Sequence, residues 1–102
     1  MTRHRLPLRI SARAEFELEA QFLWYELERR GLGLEFLAEI EACWDRIRTN
    51  PNLYPVWNGD IRRSQVRRFP FTLFYSVELA SIAILPVVHR RKHPRSWPRR
   101  RG

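Results

Sequence analysis

An α+β domain is predicted: a short N-terminal strand, an antiparallel helical hairpin and three further strands, in the order β-α-α-β-β-β. The hairpin packs on a mainly antiparallel four-stranded sheet. Three observations in the 102-residue chain lead there. Apolar residues recur at helical spacing from Ala12 to Thr49, and the spacing shortens to two after Pro55. Between the two helical stretches, Gly31-Leu32-Gly33 makes a link short enough to fold one back on the other. Hydrophobic residues at 44% and aromatics at 13% supply one core, and the length supports one domain. Residues 1–88 are read as that domain and residues 89–102 as a basic tail.

Leu6 to Ile10 reads as the first strand, ending at Ser11, a residue type that caps helix N-termini. From Ala12 to about Arg30, Ala14, Leu18, Phe22 and Tyr25 share one helix face. Phe16, Ala20, Leu23 and Leu27 share the opposite one, with Trp24 beside it. A helix apolar on two sides needs neighbours on two sides. The sheet and the second helix could fill both, or one side is left for another protein. The second helix, about Leu34 to Thr49, carries Phe36, Leu37, Ile40, Cys43, Trp44 and Ile47 in one stripe and stops at Asn50-Pro51. Cys43 falls on that stripe, where burial is its natural role.

After the Asn58-Gly59 turn signal, Ile61 to Phe69, Phe71 to Val77 and Ile82 to Val88 read as strands, with Glu78 to Ser81 as a hairpin loop. Pro86 cannot donate to a ladder and marks an edge or a bulge. On strand parity, Arg63 and Arg67 share one face and Arg62 and Arg68 the other.

Charge is unevenly placed. The net charge is +8, and 18 of the 19 bases are arginine, Lys92 being the exception. Residues 1–14 carry +4, residues 15–45 carry nine acids and a net −7, and residues 46–102 carry +11. An acidic middle in one layer and basic ends in the other would make the molecule electrically two-sided, suited to an anionic partner such as nucleic acid or an acidic protein. Membrane association fits poorly, because the apolar helix faces lie in the acidic segment. A single cysteine excludes an internal disulfide framework, and no apolar h-region follows the basic N-terminus, so a cytoplasmic protein is expected. No metal site or cofactor is expected.

The segments RRFPFTLFYSVE and IAILPVVHRRKHPRSW, with WYELERRGLGLEFLAEIEACWDRIRTNPNLYP upstream, resemble the RelE/ParE superfamily of type II toxin–antitoxin toxins. The resemblance runs from about Leu8 to Trp97. It implies a toxin of the plasmid-stabilisation kind that arrests growth until a nearby-encoded antitoxin neutralises it, with DNA gyrase as the target in one branch and messenger RNA on the ribosome in the other. Antitoxin contact is expected at Phe22, Tyr25 and Arg67, and target or nucleic-acid contact at Arg63, Arg67, Arg68, Arg90, Lys92 and Trp97.

Metal-independent RNA cleavage needs an activated 2′-hydroxyl, a stabilised phosphate charge and a protonated leaving oxygen. His89 and Arg91 are the candidates for that chemistry. Thr72 stands where ribonucleolytic relatives carry a strand arginine, and Trp97 where some carry a tyrosine; neither can supply the same charge or proton. Gyrase inhibition is therefore the favoured reading. A RelE-like endoribonuclease and a non-toxic basic nucleic-acid-binding module are the alternatives.

Overall fold

The computed structural model describes residues 5–85, together with the backbone of Val88 and His89. Helix α1 runs Ala12–Glu28, opened by Ser11, whose side chain accepts from the Ala14 N–H at 3.0 Å. Helix α2 runs Leu32–Thr49. The first helix stops two residues before the expected Arg30 and the second starts two before the expected Leu34. The reason is Glu26. Its carboxylate accepts from the N–H groups of Gly31 (3.1 Å), Gly33 (2.8 Å) and Leu34 (3.2 Å), satisfying donors that a helix start otherwise leaves open. Gly31 makes the reversal at φ 91°, a left-handed setting that favours glycine.

The sheet is built from β1 (Leu8–Ile10), β2 (Val56–Asn58), β3 (Ile61–Gln65), β4 (Phe71–Val77), β5 (Ile82–Ile84) and β6 (Val88–His89). It is five strands wide rather than four, in the order β1-β5-β4-β3-β2. The unforeseen strand is β2. Asn58-Gly59 turns it into β3 instead of merely preceding the first strand of the series, and Val56 pairs with Arg62 and Asn58 with Ile61 across an irregular register. All neighbours are antiparallel except β1 and β5, where Leu8 faces Ile82 in parallel.

Two expected strands are shorter. The strand ends at Gln65 rather than Phe69: one further in-register bond runs from the Val66 N–H to the Phe71 carbonyl at 2.9 Å, but the Phe71 N–H turns to the Phe69 carbonyl at 2.8 Å and Arg68 takes φ 71°. The expected Ile82–Val88 strand is divided into β5 and β6. From Ile84 to Val88 the chain advances four residues, while its partners on β4, Tyr75 and Thr72, are three apart. Thr72 already pairs with Gln65 of β3, so β6 takes the same edge of β4 as β5. Strand β4 has the predicted bounds, and the loop after it closes with Glu78 N–H on the Ser81 carbonyl at 2.8 Å.

Phe71, Leu73 and Tyr75 of β4 and Ile82 and Ile84 of β5 face the helices. There they meet Leu18 and Tyr25 of α1 and Phe36, Ile40, Cys43 and Ile47 of α2. Burial of each large side chain stabilises the fold by roughly 1.5–3 kcal/mol. The rings of Tyr25, Phe36, Phe69 and Phe71 cluster, with Tyr25 5.1 Å from Phe69 and 5.2 Å from Phe36. Tyr75 is fully enclosed. Its hydroxyl donates to the Pro51 carbonyl at 2.7 Å, and burial pushes its pKa up to about 12.

Candidate functional site

Because the helices cover one face of the sheet, side-chain alternation assigns the residues of the other. Thr72, Phe74 and Ser76 of β4 point away from the helices. Gln65, Arg63 and Ile61 of β3 stand opposite them, and Ala83 of β5 and Arg9 of β1 continue the Ser76 row. None of these positions carries a carboxylate; Asp60 and Glu78 lie in the loops at one end. Trp57 of β2 leans over this face, its ring 5.0 Å from that of Phe74 at 61°, and remains 52% exposed. All nine acids of residues 15–45 lie in α1 or α2. Among the described residues, the acids are thus concentrated on the helical layer, and the open sheet face is mainly basic, with Glu78 reaching its edge to pair with Arg9.

The four arginines of 62–68 are put to different uses. Arg62 is on the helix side of β3 and donates to the carbonyls of Tyr54 (2.6 Å) and Asn52 (3.2 Å), tying β3 to the chain leaving α2. Arg63 is exposed on the open face and makes no ion pair among the described residues. Arg67 and Arg68 lie beyond the end of β3, so strand parity does not reach them. Arg68 turns back to Glu35 at 2.8 Å and Glu39 at 3.8 Å, and its guanidinium lies over the Phe69 ring. The bonds from Arg68 and then Arg29 hold the Glu35 carboxyl below its usual range. Arg67 is exposed in the same loop. On the open face itself, Arg9 pairs with Glu78 at 3.5 Å and keeps much of its side chain in water.

Thr72 is buried in β4, hydrogen-bonded strands flanking it on both sides. The backbone of His89 sits opposite Phe71; its side chain, and the whole of Arg90, Arg91, Lys92 and Trp97, lie outside the described residues.

A second open surface is the outward side of α1. Phe16 is 70% and Leu27 87% exposed, with Leu23 and Trp24 also exposed between them. Glu15, Glu19 and Glu28 are exposed on the same helix. Tyr25, expected to meet a partner, is instead enclosed by the aromatic cluster, where burial raises its pKa. Phe22 is half-buried beside Gly33. The two apolar faces of α1 are therefore one inward and one free, and sequence reasoning named residues of the inward one. Trp57 was missed as well, since a lone tryptophan in a turn-rich stretch carries no periodic signal.

Among the described residues, no three His, Cys, Asp or Glu side chains gather to hold a metal ion, and no helix is long and apolar enough to cross a membrane.

A family model described as the ParE toxin of the type II toxin-antitoxin system parDE matches residues 8–94. Among solved structures, the chain is similar to one from the chromosomal ParDE TA system of P. aeruginosa. The TM-score is 0.75 at 19% identity, over 87% of this chain and 100% of that one, which speaks for a shared fold. Among curated proteins none matches.

Proposed function

The chain belongs to the ParE toxin family of type II toxin–antitoxin systems, and from that premise we propose that it arrests growth in the cytoplasm by inhibiting DNA gyrase when its antitoxin is absent. The observation that carries a protein target over RNA cleavage is the state of Thr72. A phosphorane needs positive charge beside it, yet this central strand position holds a buried, uncharged hydroxyl. Of the arginines of 62–68, Arg62 is on the helix side of the sheet, held by backbone carbonyls, and Arg68 is engaged with Glu35.

The antitoxin, encoded nearby, takes the outward side of α1 in this reading. Phe16, Leu23, Trp24 and Leu27 form an apolar strip at helical spacing, and an amphipathic partner helix would cover it. Residues 89–102 carry seven bases and no acid, a charge that suits an acidic target surface.

Expression of the toxin alone, with and without the small neighbouring reading frame, tests both parts. Growth arrest accompanied by DNA-damage signalling, relieved by the neighbour, is the expected result, with purified protein blocking gyrase supercoiling. Arrest with new message 5′ ends on ribosomes and normal supercoiling would replace this reading with an endoribonuclease.

A further inference from the structure

Trp57 has no part in the core and none in the proposed antitoxin surface, yet the fold holds it in place. We propose that the open face of the sheet is a platform for single-stranded nucleic acid, Trp57 stacking on a base while Arg63 holds the backbone phosphate. The proposal goes beyond gyrase inhibition and does not depend on it.

The first support is the aromatic pair. Phe74 projects from the central strand and meets the Trp57 ring at 5.0 Å, fixing the indole while about half of it stays in water. A ring already positioned loses little freedom when a base stacks on it, and every base offers a π-face. The second is charge. Arg63 stands opposite Phe74 in register, exposed, with no ion pair among the described residues, and its planar fork matches a phosphate two bonds at a time. Arg9, paired with Glu78 at 3.5 Å but largely in water, lies on the neighbouring row, three strand spacings from β3 or about 14 Å, a span of at least two backbone repeats along one strand.

The third is what the face omits. Its outward strand positions have no carboxylate, while the acids are concentrated on the helical layer behind. A phosphate chain is attracted to this face and repelled by the opposite one. The preference for a single strand follows from Trp57: duplex bases are already stacked and paired, so the indole has no free base to meet. A tryptophan beside an arginine also suits a protein contact, but a face whose outward strand positions carry arginines and no carboxylate, on a chain of +8, favours a polyanion.

The test is fluorescence anisotropy of the full chain with labelled 12-nucleotide oligo-dT and oligo-U and with a duplex of equal length, across a salt series. Single strands are expected to bind more tightly than duplex. Trp57→Ala should weaken single-strand binding about 5- to 150-fold and leave duplex binding unchanged, and Trp57→Phe should recover most of the loss. Arg63→Gln should lower the slope of log K against log salt by about 0.7 for single strands. Circular dichroism checks each fold; should Trp57→Ala unfold, Trp57→Phe and Arg63→Gln are surface changes that carry the test. Equal affinity for duplex and single strand, or single-strand binding indifferent to all three substitutions, would overturn the proposal and assign the affinity to charge elsewhere. Loss of gyrase inhibition in Trp57→Ala without any single-strand binding would overturn it in favour of a protein surface. Because no arm of the binding assay contains gyrase, its outcome is separate from that of the toxin reading.

Discussion

Gly33 lies directly against the backbone of Phe22: a Cβ at Gly33 would stand 2.5 Å from the Phe22 carbonyl oxygen and 2.7 Å from its ring. The two helices of the hairpin approach closely because this position has no side chain. A backbone oxygen cannot step aside as a flexible side chain can, so Gly33→Ala must push the helices apart. The expected cost is about 1–3 kcal/mol, read as a lower urea midpoint. An unchanged midpoint would show that the hairpin is not close-packed at this level.

Glu26 gives the same hairpin a pH dependence. Its carboxyl is held below the ordinary value of 4.5, first by the Gly31 N–H and further by those of Leu34 and Gly33. A group whose folded pKa is depressed contributes stability above its unfolded pKa, and that contribution is lost as the pH falls through the folded value. Wild type should therefore melt above Glu26→Gln at pH 7, with the gap closing on acidification below about pH 4.5. A gap that persists undiminished to pH 2 would mean the carboxylate charge is not what the α2 N-terminus uses.

Arg68 combines two opposed effects at one position. Its φ of 71° is strained for a side-chain-bearing residue, while its guanidinium is anchored on Glu35. Arg68→Ala keeps the strain and loses the anchor; Arg68→Gly loses both. The glycine variant should be the more stable of the two by about 1 kcal/mol in urea denaturation. The reverse order would show that the loop relaxes out of the left-handed region once the ion pair is gone.

The outward side of α1 separates binding from folding. Leu27→Glu and Leu23→Glu replace exposed side chains, so each should change stability by no more than about 0.5 kcal/mol. In titration calorimetry with the cognate antitoxin, each should weaken the complex at least about tenfold, the loss of a buried apolar anchor. Undiminished affinity would send the antitoxin to another surface.

What could be read from the chain follows how local each cause is. Ser11 caps α1 and Phe71–Val77 alternates because neighbouring residues decide both, and both are legible. Strand β2 is not, because Val56, Trp57 and Asn58 are extended through pairing with Ile61 and Arg62 and carry no burial pattern of their own. The inward face of α1 is equally hidden. Nothing in the helix distinguishes Tyr25 from Leu23; the choice comes from Phe36, Phe69 and Phe71, distant in the chain, closing around Tyr25. Alternation predicted opposite faces for Arg62 and Arg63, and they have them. It failed for Arg67 and Arg68 because the strand ends before they are reached.

The parallel seam between Leu8–Ile10 and Ile82–Ile84 sets an order of events during synthesis. The first strand leaves the ribosome long before its neighbour has been translated, and contacts between distant parts of a chain form late. Until Ile82 emerges, one border of the sheet stays unfinished. The sheet is therefore closed at this border only after most of the chain has been made.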